Sequence, residues 1–258
     1  MRGVARISLA FMRFVWRRAH AALVWAVLTA ACGVLFGPEY EYEEDLHLSL
    51  DGSATVYVNA SVPALVALRG IDLPVDPQAH LDRRRVRTLF EGDGARVTGP
   101  TLSRRRGRRF VHIRVDVADL RDLPRLAGLA WSSYRFERRT GAVEYRQVVG
   151  SSASRSVGHA MWNGTERVVF RLHIPSEIPF HNSPRPLRRG NILEWDQRLD
   201  ERLGGSPVEM RVQMEPQSIL YRTLLLFGST VAAAALAFGV IIWWISRRGS
   251  DARTAAAG

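Results

Sequence analysis

The 258-residue chain reads as an α+β protein: an antiparallel sheet with helices on one face, flanked by an N-terminal signal or anchor segment and a C-terminal transmembrane helix. Three observations predict this. Residues from about 38 to 221 alternate apolar and polar side chains with a period of two, in runs broken by short helical stretches. An uncharged apolar stretch follows that region, and a shorter apolar run precedes it. The arginines cluster beside those two apolar segments. With 47% hydrophobic and 24% charged residues the chain is not disordered, and one cysteine excludes an internal disulfide framework.

The elements follow in order. Leu46, Leu48 and Leu50 alternate with His47 and Ser49, Asp51-Gly52 turns the chain, and Ala54, Val56 and Val58 return, which is a β-hairpin with one buried face. Helices are expected over 63–69 and 77–90, the second placing Val86, Leu89 and Phe90 opposite Arg83, Arg84 and Arg85. Strands over 96–102 and 109–117 come next, with Val111, Ile113, Val115 and Val117 facing the core. A short helix over 119–126 leads to strands over 133–137, 142–149, 167–173, 191–199 and 208–214. No repeat of solenoid length recurs.

Thr223 to Ser246 runs without a charge for 24 residues, about 36 Å as a helix, enough to cross a hydrocarbon core of about 30 Å. Tyr221 and Arg222 mark one end and Trp243, Trp244, Arg247 and Arg248 the other, as interface anchors do, so the C-terminus is expected in the cytoplasm. The first run, Ala21 to Phe36, follows five arginines and admits three readings: a lipoprotein signal, an uncleaved anchor, or cleavage after Ala31. In the first, Cys32 accepts the lipid, with Thr29 in place of the usual branched aliphatic residue three positions before it. All three give one organisation: a cytoplasmic leader and signal or anchor over 1–37, an exported domain over 38–221, a span over 222–246 and a short tail over 247–258.

The net charge of +11 would point to nucleic acid if it were spread over the domain. Eight of those charges instead frame the apolar segments, leaving the exported part at +3, so no nucleic-acid partner is expected. Every basic residue is arginine. The densest run, Arg104, Arg105, Arg106, Arg108 and Arg109, reads either as a solvated hairpin tip or as a patch for anionic headgroups. His47, His112 and His173 fall on polar sides of strands, and no metal-ligand spacing, cofactor motif or nucleophile elbow is present, so no metal, cofactor or catalytic residue is assigned.

Two stretches carry a family resemblance. The segment Leu46-His-Leu-Ser-Leu-Asp-Gly-Ser-Ala-Thr-Val-Tyr-Val follows the signal, and Phe170-Arg-Leu-His-Ile-Pro-Ser-Glu-Ile leads through His181-Asn182 to Gly190-Asn191-Ile192-Leu193-Glu194-Trp195. With the single C-terminal span, this order resembles the LppM-type bacterial lipoproteins over roughly residues 38 to 246. The resemblance implies an α+β domain with an internal apolar cavity suited to lipid, held at the bacterial cytoplasmic membrane with its main domain outside; it transfers no catalytic residues. The expected function is therefore non-enzymatic binding of a lipid, glycolipid or other apolar ligand beside the bilayer. The alternative is an exported adaptor docking an envelope protein through a sheet edge or through Trp131, Tyr134 and Trp162.

Overall fold

The computed structural model describes residues 39–255, residue 159 apart, with side chains as far as 244. Its strands are β1 (Tyr40–Leu48), β2 (Ala54–Ser61), β3 (Ala95–Arg105), β4 (Arg108–Val117), β5 (Ser132–Arg139), β6 (Ala142–Val149), β7 (Arg167–His173), β8 (Phe180–His181), β9 (Ile192–Arg198) and β10 (Val208–Met214). The helices are α1 (Val62–Arg69), α2 (Arg83–Thr88), α3 (Leu199–Leu203) and α4 (Ile219–Ala255), with a 3₁₀ turn at Leu120–Arg125.

The α+β class holds, and the strands divide between two sheets rather than filling one. The first has the order β3-β4-β2-β1-β7-β9 and the second β5-β6-β10-β8. All neighbours are antiparallel except β1 and β7, which pair in parallel with His47 opposite His173. The long connection from β2 to β7 carries the β3–β4 and β5–β6 hairpins, and the chain re-enters beside β1 in the direction it first took.

Period-two patterning explains the layers. Leu46, Leu48, Val56, Val58, Ile113, Val115, Phe170 and Leu172 line one face of the six-stranded sheet and are buried. Val143, Tyr145, Val149, Met210, Val212 and Met214 from the second sheet belong to the same apolar core. Helix α1 lies within it: every residue from Val62 to Leu68 is buried, as an all-apolar helix requires. Ser61 caps it, its hydroxyl accepting from the Ala64 N–H at 3.1 Å, and Gly70 ends it at φ 67°.

Three local expectations change. The 77–90 helix shortens to α2, because Asp82 caps at the Arg84 N–H and the carbonyls of Pro77 and Ala79 accept from Arg104 and Arg109 instead of from the next helical turn. The first hairpin loop is longer than a two-residue Asp-Gly turn: Ser49 and Ser53 close it, Asp51 accepts from the Ser53 N–H, and only Gly52 takes a positive φ. The 119–126 helix is the 3₁₀ turn, with Asp119 capping and Pro124 inside.

Helix α4 meets the domain without a loose linker. The Ile219 N–H donates to Pro175 O at 2.9 Å, Ser218 bridges Ser176, and Arg222 pairs with Glu215 and, at 3.3 Å, with Glu177. From Ile219 to Trp244 the helix is exposed and apolar over 26 residues, about 39 Å. It is long and apolar enough to cross a membrane.

Candidate functional site

The face of the second sheet turned away from the core is built from arginine and glutamate. Cross-strand register places Arg135, Arg146 and Arg211 directly opposite one another on β5, β6 and β10. The next row on that face is Glu137, Glu144 and Gln213, with Phe180 of β8 opposite Gln213. These side chains and Arg139 line an open groove of about 360 Å³.

Like charges directly opposite each other destabilise a sheet, so a row of three guanidiniums needs compensation. Glu209 supplies part of it: its Oε1 accepts from both Arg146 and Arg211 at 2.6 Å. Those hydrogen bonds hold the Glu209 carboxyl below its ordinary pKa and raise Arg211. Arg135 lies 3.6 Å from Glu137, and Arg139 reaches both Glu137 and Glu144. Four arginines thus face three glutamates, with Glu209 and Glu137 each shared between two guanidiniums. The groove retains positive charge beside an exposed aromatic ring, Phe180, which is 48% exposed.

The groove also lies close to the root of α4. Glu215 donates its N–H to Glu177 O, and the segment from Pro175 to Phe180 runs from the helix root to the groove. Gln213 precedes the clamping residue Glu215 by two positions, about 7 Å of extended chain.

The sequence-derived arginine cluster does not form one patch. Arg106 and Gly107 make the β3–β4 turn, both at positive φ, and Arg104, Arg105 and Arg106 are exposed. Arg108 and Arg109 are corrected: both are buried. Arg108 pairs with Glu41 at 3.2 Å and Glu166 at 3.5 Å and donates to Met161 O at 2.8 Å, while Arg109 donates to the carbonyls of Ala79 and Pro74. Two acidic partners and several loop carbonyls inside the fold draw these side chains in. The aromatic docking set is corrected likewise: Tyr134 bonds Glu44 in the core, Trp162 donates to Glu41, and Arg69 covers Trp131 at 4.2 Å.

Tyr221, Trp243 and Trp244 are exposed near the two ends of the apolar stretch of α4, and Arg222 forms the clamp described above. Cys32 and the side chains of Arg247 and Arg248 lie outside the described residues. The arginine groove lies on the outside of the second sheet, a second groove lies between β3 and residues 78–83, and the space between the sheets around Glu44 is filled by tyrosine and glutamine side chains. Among the described residues no group of three metal-ligating side chains occurs.

On the outer face of the first sheet His47 and His173 stack, ring centroids 3.9 Å apart and planes 11° apart. Burial lowers both pKa values; Arg114 lowers His47 further, His47 and Arg171 lower His173, and Asp45 opposes these effects in both. Tyr57 meets the His47 ring edge-on. The folded state therefore favours the neutral pair. Stability should be complete above the unfolded histidine pKa and fall as pH drops from about 6.5 toward the lowered folded values. Thermal unfolding at a series of pH values checks this; His47→Gln and His173→Gln should each flatten the acid limb.

No family model matches the chain, and no curated protein matches it. Among solved structures it is similar to the NMR structure of the Mycobacterium tuberculosis LppM protein folded domain, with 14% identity, a TM-score of 0.39, and coverage of 70% of this chain and 92% of that one. The chain resembles an LppM-type domain. The groove was missed from sequence because strand pairing decides which arginines become neighbours. Its signal was present in the alternation of Arg135, Glu137 and Arg139 and of Glu144 and Arg146.

Proposed function

We propose that this protein is a single-pass membrane protein of the bacterial envelope whose exported domain binds an anionic lipid beside the bilayer. The observation that carries this reading is the arginine row Arg135, Arg146 and Arg211 in a groove next to the root of α4. Guanidinium forks suit phosphate or carboxylate oxygens, and Phe180 offers an apolar neighbour for the start of an acyl chain. The α4 clamp keeps the groove near the membrane surface, which raises the effective concentration of a lipid ligand. In this organisation α4 crosses the cytoplasmic membrane, the domain lies outside and the C-terminus lies in the cytoplasm.

The test is native mass spectrometry of the full chain released from detergent micelles carrying equal amounts of an anionic and a zwitterionic phospholipid. The anionic lipid should be retained preferentially, by about tenfold, equivalent to about 1.4 kcal/mol. The triple variant Arg135→Glu/Arg146→Glu/Arg211→Glu should lose that preference. Equal retention of both lipids, or a preference untouched by the variant, would exclude the groove as the lipid site. Retention of a copurified envelope protein in place of lipid would support the adaptor reading.

A further inference from the structure

Away from the lipid groove, three side chains on the outer face of the first sheet form a connected chain of hydrogen bonds. Ser103 on β3, His112 on β4 and Asn59 on β2 come from three adjacent strands. Asn59 is directly opposite His112, and Ser103 is opposite Phe110, one same-face step along β4. His112 Nδ1 is 2.9 Å from Asn59 Oδ1, and His112 Nε2 is 2.7 Å from Ser103 Oγ.

An amide oxygen only accepts, so Asn59 Oδ1 places the imidazole proton on Nδ1. The Nε2 lone pair then faces the Ser103 hydroxyl, which donates to it. This is the arrangement of an activated nucleophile: a base within hydrogen-bond reach, oriented by a third group. Burial pushes the His112 pKa down, Arg105 lowers it further and Glu43 opposes, so the ring is a neutral acceptor near pH 7.

The surroundings leave room for an electrophile. Ser103 borders a groove of about 760 Å³ between β3 and residues 78–83, and among the described residues no strand pairs with the far edge of β3. The two-residue β3–β4 turn makes Arg105 and Arg108 a hydrogen-bonded pair. By alternation Ser103 also bonds toward β4, while the N–H groups of Leu102 and Arg104 point to the open edge. The Arg104 N–H follows Ser103 in the chain, the position from which a backbone donor stabilises an oxyanion in serine hydrolases.

We propose that Ser103 is a nucleophile toward carboxylic esters, with His112 as its base and Asn59 as the positioning residue. Ser103 Oγ attacks the carbonyl carbon as its proton passes to His112 Nε2, and the carbonyl oxygen takes the negative charge toward the Arg104 N–H. The C–O bond to the leaving alcohol breaks, the alcohol oxygen takes the proton from His112, and an ester to Ser103 remains. Water, giving a proton to Nε2, attacks that ester; the bond to Ser103 Oγ breaks as Oγ takes the proton back from Nε2, and the carboxylic acid leaves, losing its own proton to solvent. Arg104, Arg105 and Arg106 favour an ester that carries a nearby negative charge.

The test is reaction of the full chain in detergent with a fluorophosphonate probe, followed by peptide mapping. The adduct should form on Ser103 about 100-fold faster than on Ser152, vanish in Ser103→Ala, and slow by about 100-fold in His112→Gln, the usual contribution of a general base. Asn59→Leu should slow it less, and nitrogen NMR of the wild type should show the His112 proton on Nδ1. Absence of an adduct on Ser103, or labelling unchanged by His112→Gln, would overturn the proposal. Ser103→Cys separates chemistry from folding: its thiol should be alkylated by iodoacetamide faster than the same thiol combined with His112→Gln, and equal rates would also overturn it.

Discussion

Arg108→Gln should cost about 3–5 kcal/mol of unfolding free energy, the usual penalty for removing one partner from a buried ion cluster. The side chain is 3% exposed and lies between Glu41 and Glu166, which are as deeply buried. Burial already pushes the Glu41 carboxyl up in pKa; the Ser61 hydroxyl, Arg108 and Trp162 pull it down. Without Arg108 two carboxylates share the site with no cation between them. Glu166 also accepts from the N–H groups of Asn163 and Gly164, each at 2.8 Å, so the loop before β7 should loosen as well. Denaturant unfolding of the full chain in detergent measures the loss. Arg104→Gln at the exposed tip should stay within about 0.5 kcal/mol of wild type. If Arg108→Gln left stability unchanged and weakened lipid retention instead, Arg108 would belong to a headgroup patch after all.

A comparable loss, about 3–5 kcal/mol, is expected for Glu44→Ala. Glu44 lies in the core at the meeting of the two sheets and accepts from Tyr42 Oη at 2.8 Å, Tyr134 Oη at 3.0 Å and Gln147 Nε2 at 2.9 Å. Tyr145 in turn donates to Gln147 Oε1 at 2.6 Å. Burial holds all three tyrosines well above their ordinary pKa, so they stay protonated donors across the working pH range. Removing the carboxylate strands three buried donors, each worth about 1–3 kcal/mol when unpaired. Glu44→Gln keeps one acceptor oxygen and should lose about half as much. Thermal unfolding of the two variants beside wild type decides it, and a Glu44→Ala protein as stable as wild type would show that the network carries no net stability.

Several features of the fold were legible because they are local. Strand patterning over Ala142–Val149, Arg167–His173 and Val208–Met214 predicts those elements at their observed bounds, since alternation follows directly from a pleated strand with one buried face. Helix α1 was legible within one residue, 63–69 against the observed Val62–Arg69. The apolar stretch of α4 needs only composition and length. Glu41, Glu44, Arg108 and Arg109 were not legible: charged residues in strands read as surface, and each is buried because its partners come from distant parts of the chain. The same holds for Ser103, His112 and Asn59, which lie on three strands and meet only when β3, β4 and β2 pair.

By itself the sequence determined the α+β class, the long apolar C-terminal stretch and the distribution of charge around the two apolar segments. These depend on periodicity, length and composition, which the unfolded chain already carries. Tertiary structure alone decided that the strands form two sheets with β1 parallel to β7, that two of the five clustered arginines turn inward, and that Arg135, Arg146 and Arg211 share one row. Cross-strand register and burial are properties of residues far apart in the chain, so the charge available to a ligand is set by pairing and not by the order of residues.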